Sequence, residues 1–190
     1  MSYAQHYLER VSRSILGMDA SRIDTAIDWL RQARDQERQV FTCGNGGSAS
    51  TASHVICDLV KGASYQQARR FRGIALTDLV PTMLAYANDV SYESVFVEPL
   101  RNFARPGDLL IAISGSGNSP NVLRAVEHAN AIGCRTVGLT GRDGGQLGRL
   151  VQLEIRVPDT HMGRIEDGHL IVCHMLAYAF MDAASAPARP

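Results

Sequence analysis

The sequence has no surplus of charge: 19 Lys and Arg residues balance 19 Asp and Glu residues over a chain of 190. A protein whose main partner is a polyanion needs a basic excess to release counterions, so nucleic acid is excluded as that partner. Neutrality also leaves little colloidal repulsion, which fits a surface covered by further subunits. Nowhere does the chain reach the roughly 18 consecutive apolar residues of a membrane span. The longest apolar stretch, Leu170 to Phe180, is interrupted by His174, and the opening MSYAQHYLER is polar where a signal peptide is apolar. Cysteine is sparse as well. Cys43, Cys57, Cys134 and Cys173 lie far apart without a C-x-x-C pair, which excludes a zinc knuckle or redox dithiol and fits free thiols in a reducing cytoplasm. A Gly-Lys-Ser/Thr sequence is missing, and with it the P-loop.

What is present is an ordinary globular composition, 45% hydrophobic and 20% charged. A chain of this length buries roughly 70% of the surface it exposes when unfolded, enough for one core without staples. Residues 3 to 37 show helical periodicity in two pieces, parted near Gly17, with Ser21 as the expected N-cap of the second. Strands are expected at Gln39 to Cys43, Gly73 to Thr77, Asp108 to Ser114, Arg135 to Thr140 and Leu153 to Val157. Between them the pattern predicts helices at Ser48 to Val60, Pro81 to Tyr86, Tyr92 to Phe103, Asn121 to Ile132 and Gln146 to Val151, and a long one from Arg164 to Met181. This alternation predicts an α/β fold, a doubly wound parallel sheet of about five strands in a single domain over residues 1 to 182. Residues 183 to 190 are expected to be a frayed tail.

Two of the expected strands end in turns of small residues that open helices, where ligands of such sheets bind. In Ser114-Gly-Ser-Gly-Asn-Ser119 the hydroxyls of Ser114, Ser116 and Ser119 and the amide of Asn118 can donate to phosphate oxygens, aided by the positive end of the helix dipole. The other turn, Gly44-Asn-Gly-Gly-Ser-Ala49, matches the G-x-G-x-x-A dinucleotide fingerprint. That fingerprint needs an acid about 20 residues on to hold a ribose; Ser64 to Arg72 contains none, and Asp78 comes later. Ser48 is therefore read as a helix cap or a sugar contact rather than part of a nicotinamide site.

His54 and Asp58 stand at i and i+4 on one expected helix, hence on one face. Glu166 and His174 are eight apart on the last helix, about two turns, and so share a face as well. Two imidazoles and two carboxylates suit a divalent cation such as zinc. Asp167, His169 and Asp182 belong with solvated or packing groups, as does the basic loop of Arg69, Arg70 and Arg72.

Cys43 to Ala49 with His54, Ala87-Asn-Asp89, Ile113 to Ser119, Leu139-Thr-Gly141 with Gly144 and Gly145, and Arg164-Ile-Glu-Asp-Gly-His169 stand in an order and spacing that resembles the sugar isomerase (SIS) domain proteins, and within them the phosphoheptose isomerases. The resemblance runs from about residue 5 to 182. It implies a flavodoxin-like SIS fold and a homotetramer with active sites between subunits, the N-terminal helices (1–37) serving assembly. It also implies interconversion of sedoheptulose 7-phosphate with a heptose 7-phosphate. By the same resemblance Ser114, Ser116 and Ser119 bind phosphate, and Asn45, Gly46, Ser48, Asp89 and Glu166 line the sugar site. His54, Asp58, Glu166 and His174 fall on the family's metal-binding and proton-transferring positions, with Asp58 and His174 as the catalytic pair. The family has glutamate where Asp58 stands and glutamine where Glu166 stands; Gly62, beside Lys61, replaces its basic residue. These departures leave a second reading open: a noncatalytic SIS protein that binds a sugar phosphate or scaffolds a partner such as a replication initiator.

Overall fold

A computed structural model describes residues 1–185. The chain opens with helices α1 (Tyr3–Leu16) and α2 (Ala20–Asp35), then alternates: β1 (Gln39–Gly44), α3 (Gly47–Cys57), β2 (Arg72–Ala75), α4 (Val80–Asp89), α5 (Val97–Phe103), β3 (Leu109–Ser114), α6 (Pro120–Ala131), β4 (Arg135–Thr140), α7 (Gly145–Leu150), β5 (Leu153–Arg156) and α8 (Met162–Ser185). The five strands form one sheet in the order β2-β1-β3-β4-β5, with every neighbouring pair parallel.

Parallel strands covered on both faces are apolar at every position, and alternate residues feed two cores. Val40, Leu109, Ile111 and Ile113 pack with α2, α3, the turn that follows α3, and α8 through Leu30, Val55, Leu59, Val172 and Leu176. Their neighbours Phe41, Cys43, Leu110 and Ala112 pack on the opposite face with Phe96, Leu100, Val122, Val126 and Leu147. The chain steps from β1 to β2 through α3 on one face, and from β3 to β4 through α6 on the other. The winding therefore reverses between β1 and β3, which opens a crevice at their carboxyl ends.

Several boundaries differ from the sequence expectation for identifiable reasons. Asp19, not Ser21, caps α2, its carboxylate accepting the Ser21 N–H at 3.0 Å; an acid two residues earlier outcompetes the serine. The stretch expected as one helix from Ser48 is α3 followed by a π-helical turn, Asp58–Gly62, closed by the Ala63 N–H donating to the Asp58 carbonyl at 2.8 Å. Tyr92 to Phe103 is a short 3₁₀ turn and then α5. Helix α8 runs on to Ser185, past Ala183 where the tail was expected to begin; residues 186–190 lie outside the described residues. Among the described residues no helix is long and apolar enough to cross a membrane.

Candidate active site

Both small-residue turns flank the crevice between β1 and β3. After β1 the backbone turns at Gly46 (φ 52°, ψ −121°), a conformation open essentially to glycine alone, and enters α3. Ser48, in the first turn of α3, is 7% exposed, and its hydroxyl makes no hydrogen bond with any described residue, so it remains a donor for a ligand. Asn45 is clamped: its amide exchanges hydrogen bonds with Asn121 of α6 at 2.8 and 2.9 Å, and the Tyr92 hydroxyl donates to its Oδ1 at 3.0 Å. This paired amide ties the two turns together across the crevice. Neither Asn121 nor Tyr92 was singled out from the sequence; the only signal for Asn121 was an amide in the apolar face of a helix, where the structure buries it to 1%.

At the end of β3 the three serines converge. Ser114 Oγ lies 3.1 Å from Ser119 Oγ and 3.4 Å from Ser116 Oγ. Ser119 occupies the N-cap of α6 without using its hydroxyl as a cap, so the hydroxyl stays available above the positive end of the helix. Asn118 departs from expectation. Its amide turns outward, donating to the Ser116 carbonyl at 2.9 Å and accepting the Gln146 N–H at 3.1 Å, so it caps α7. Gly117 (φ 66°) allows that contact, because the β4–α7 loop sits directly against it.

The second cluster lies further along α3. His54 Nε2 is 3.2 Å from Asp58 Oδ2 and 3.1 Å from His174 Nε2, and the three ligand atoms lie within 4.8 Å of one another. Ligand atoms on a tetrahedral zinc at about 2.0–2.1 Å sit about 3.3 Å apart, so two imidazoles and one carboxylate at these spacings fit such an ion and leave a fourth position open. Glu166 does not join them, contrary to expectation. Eight residues along α8 amount to about 12 Å of rise, and its carboxylate instead lies over Gly47, 3.0 Å from where a Cβ would stand. There it faces the first turn of α3, whose N–H groups favour an anion. Glu166 thus belongs beside Asn45 and Ser48.

Within one chain the two clusters are apart. His54 follows Gly47 by seven residues, about 10 Å along α3. The amino end of α8 packs on the serine turn through Met162 and Ile165 against Gly115, whereas His174 comes twelve residues after Met162, about 18 Å along the axis. Asp89 is exposed at the end of α4, lining a cavity of about 480 Å³ with Tyr86 and accepting from Asn88 at 2.7 Å.

Several other titratable groups lie away from both clusters. Asp167 accepts from Tyr7 at 2.7 Å and holds that phenol up to about 12. Buried His169 donates from Nε2 to the Thr140 carbonyl at 2.9 Å, leaving Nδ1 unpartnered, and burial lowers its pKa to about 4. Asp182 lines a groove with Tyr178 and Ile23. Burial also pushes the Cys43 and Cys173 thiols up to about 12, so neither supplies a thiolate. Arg69 pairs with Asp35 at 3.3 Å, and Arg70 and Arg72 donate to backbone carbonyls.

A phosphate-sized cradle of hydroxyls at the switch point of a 2-1-3-4-5 sheet, with a metal-capable cluster on the adjoining helices, defines a class, and comparison identifies it: a profile of the SIS domain matches residues 3–141, and the chain belongs to that family. Within it the chain is an isomerase of the phosphoheptose isomerase type. It is 36% identical to the phosphoheptose isomerase of Geotalea daltonii, over 90% of this chain and 88% of that one. It is 35% identical to the probable phosphoheptose isomerase of Thermoplasma acidophilum, over 91% and 94%. The solved phosphoheptose isomerase of Neisseria gonorrhoeae superposes with a TM-score of 0.86 at 28% identity, covering 94% of this chain and 96% of that one. The fold and the phosphosugar isomerase class follow, and the dinucleotide fingerprint at Gly44 is a coincidence of small residues in a turn.

Proposed function

We propose that the protein interconverts sedoheptulose 7-phosphate and D-glycero-D-manno-heptose 7-phosphate through an enediol, as a cytoplasmic homotetramer. The observation that carries this reading is the convergence of two imidazoles and a carboxylate, in a chain that also carries a separate cradle of three serine hydroxyls. Ser114, Ser116 and Ser119 hold the phosphate, and the dipole of α6 substitutes for a cationic side chain. Asn45, Ser48 and Glu166 face the sugar hydroxyls, with Gly46 giving the backbone close approach. Asp89 closes the site from the end of α4.

Isomerisation moves a proton between C1 and C2 and needs an acid-base partner for the oxygens. Asp58 Oδ2 lies against His54, which leaves its other oxygen to take the carbon-bound proton; His174, whose Nε2 faces His54, moves the proton between the oxygens through its Nδ1. A divalent ion such as zinc, held by His54, Asp58 and His174, would polarise the carbonyl and stabilise the enediolate. Because the two clusters stand apart along α3 and α8 of one chain, this reading has the triad of one subunit serve the cradle of another in the homotetramer. Exposed Met175 and Tyr178 beside His174, and exposed Tyr3, Leu8 and Leu16 on α1, supply apolar surface for that assembly.

The test is turnover of sedoheptulose 7-phosphate by the purified protein, with and without zinc, alongside the His174→Ala variant. The reading expects an aldoheptose 7-phosphate from the native protein and none from the variant. Binding of the sugar phosphate without turnover, unchanged by His174→Ala, would favour the noncatalytic alternative.

A further inference from the structure

A cavity of about 650 Å³ opens between α1 and the carboxyl ends of β4 and β5, lined by Arg10, Arg13, Arg142 and Arg156 with Ser14 and Asp143. It shares no residue with the serine cradle or the metal-capable triad. None of the four guanidinium groups forms a hydrogen bond or ion pair with any described residue, although each carries five donors. The chain does not neutralise them. Asp159, at the cavity wall, is already engaged: Arg164 grips both its oxygens at 2.7 and 2.8 Å, Ser14 donates to it, and these contacts hold its carboxyl far below the usual range. Asp143 is the remaining acid, and its Oδ1 accepts the Gly145 N–H at 3.2 Å. Four arginines against that single carboxylate, which has no cationic partner, leave three positive charges around one cavity.

The arrangement is built rather than accidental in one respect. Arg142 holds a left-handed backbone (φ 51°), uncommon for a side-chain-bearing residue, and its N–H donates to the Asp159 carbonyl at 2.9 Å. The loop that carries Arg142 is thereby locked to the loop that follows β5 and Arg156. Guanidinium forks match the oxygens of phosphates in pairs, and four of them on three separate elements exceed what one phosphate can engage. We propose that this cavity is a second anion site, which takes a small molecule bearing a pyrophosphate group. Zero net charge over the whole chain conceals the site, because the compensating acids lie elsewhere on the surface.

Calorimetric titration of the metal-loaded native protein with inorganic pyrophosphate, and separately with inorganic phosphate, tests the proposal. Pyrophosphate is expected to bind at least about tenfold more tightly than phosphate, with affinity falling as salt rises. The double variants Arg10→Gln/Arg156→Gln and Arg13→Gln/Arg142→Gln are each expected to lose that affinity by about tenfold or more while keeping the native circular dichroism and isomerase turnover. Ser116→Ala/Ser119→Ala is expected to leave it unchanged. The proposal is overturned by equal affinity for the two anions, or by loss in the serine variant alone, which would place the ligand in the cradle. It is equally overturned if the arginine variants bind normally, or if they change only the sedimentation mass, which would assign the arginines to an interface between copies. Absence of isomerase turnover in the native protein would refute the proposed function and leave this titration readable.

Discussion

Replacing Gly117 by alanine puts the phosphate cradle and the fold under strain together. A Cβ there would lie 2.0 Å from the Gly144 carbonyl oxygen and 2.7 Å from its carbon, far inside ordinary contact. Three costs follow: a left-handed backbone for a non-glycine residue, about 1–2 kcal/mol; loss of the bond from the Leu147 N–H to the Gly117 carbonyl, now 2.8 Å, about 1 kcal/mol; and overpacking of about 1–3 kcal/mol. Together they predict a destabilisation of roughly 3–6 kcal/mol, a fall in Tm on the order of 10 °C for a chain of this size. Gly133 is the control. It too is left-handed (φ 83°), but a Cβ there meets only Pro106 at 3.8 Å, so Gly133→Ala should incur the backbone cost alone. Thermal melts followed by circular dichroism, joined to KM for the sugar phosphate, provide the assay. KM should rise in Gly117→Ala, because the displaced loop carries Ser116 and Ser119 with it, and remain native in Gly133→Ala. Equal Tm values for the two variants, with KM unchanged in both, would refute the close packing of the β4–α7 loop on the serine turn as the element that sets the cradle.

Asp58→Asn keeps the shape and removes the base, so kcat should fall by about a hundredfold or more with Tm unchanged; retained turnover would move the base elsewhere. His54→Ala removes one of three converging ligands, and competition with a chelating dye should show zinc affinity reduced by about a hundredfold or more, whereas an unchanged affinity would exclude the triad as the metal site. Buried His169 has its pKa lowered to about 4. In the native state it binds fewer protons than in the unfolded state between pH 4 and the ordinary value of about 6.5, so stability is complete above that window and falls as pH drops through it. The shift corresponds to at most about 3 kcal/mol. Urea midpoints of the native protein should decline across that window, and His169→Phe should flatten the decline; an identical slope in both would show that another group titrates there.

The fold was legible because each covered strand is a short apolar run closed by small residues, and each helix carries its own period. The π-helical turn at Asp58–Gly62 was not, since its wider hydrogen-bond ring has no distinct residue pattern. The pairing of His54 with Asp58 could be read from a spacing of four. Their meeting with His174 could not, because nothing in a sequence states that α3 packs on α8. Glu166 shows the limit of reading a helical face: sharing a face with His174 says nothing of the rise that separates them, and the carboxylate ended over Gly47. Asn118 was read as a ligand donor from its place in the serine turn, but in the fold its Oδ1 accepts the Gln146 N–H at the start of α7 and its Nδ2 donates to the Ser116 carbonyl.

The central claim, that these residues move a proton on a heptose phosphate, is tested most directly by proton NMR of sedoheptulose 7-phosphate incubated with the zinc-loaded protein in deuterium oxide. The account predicts an aldoheptose 7-phosphate carrying solvent deuterium at C2, and loss of both product and exchange in Asp58→Asn. Folded, metal-loaded protein that leaves sedoheptulose 7-phosphate and related ketose phosphates unconverted and unexchanged would contradict it.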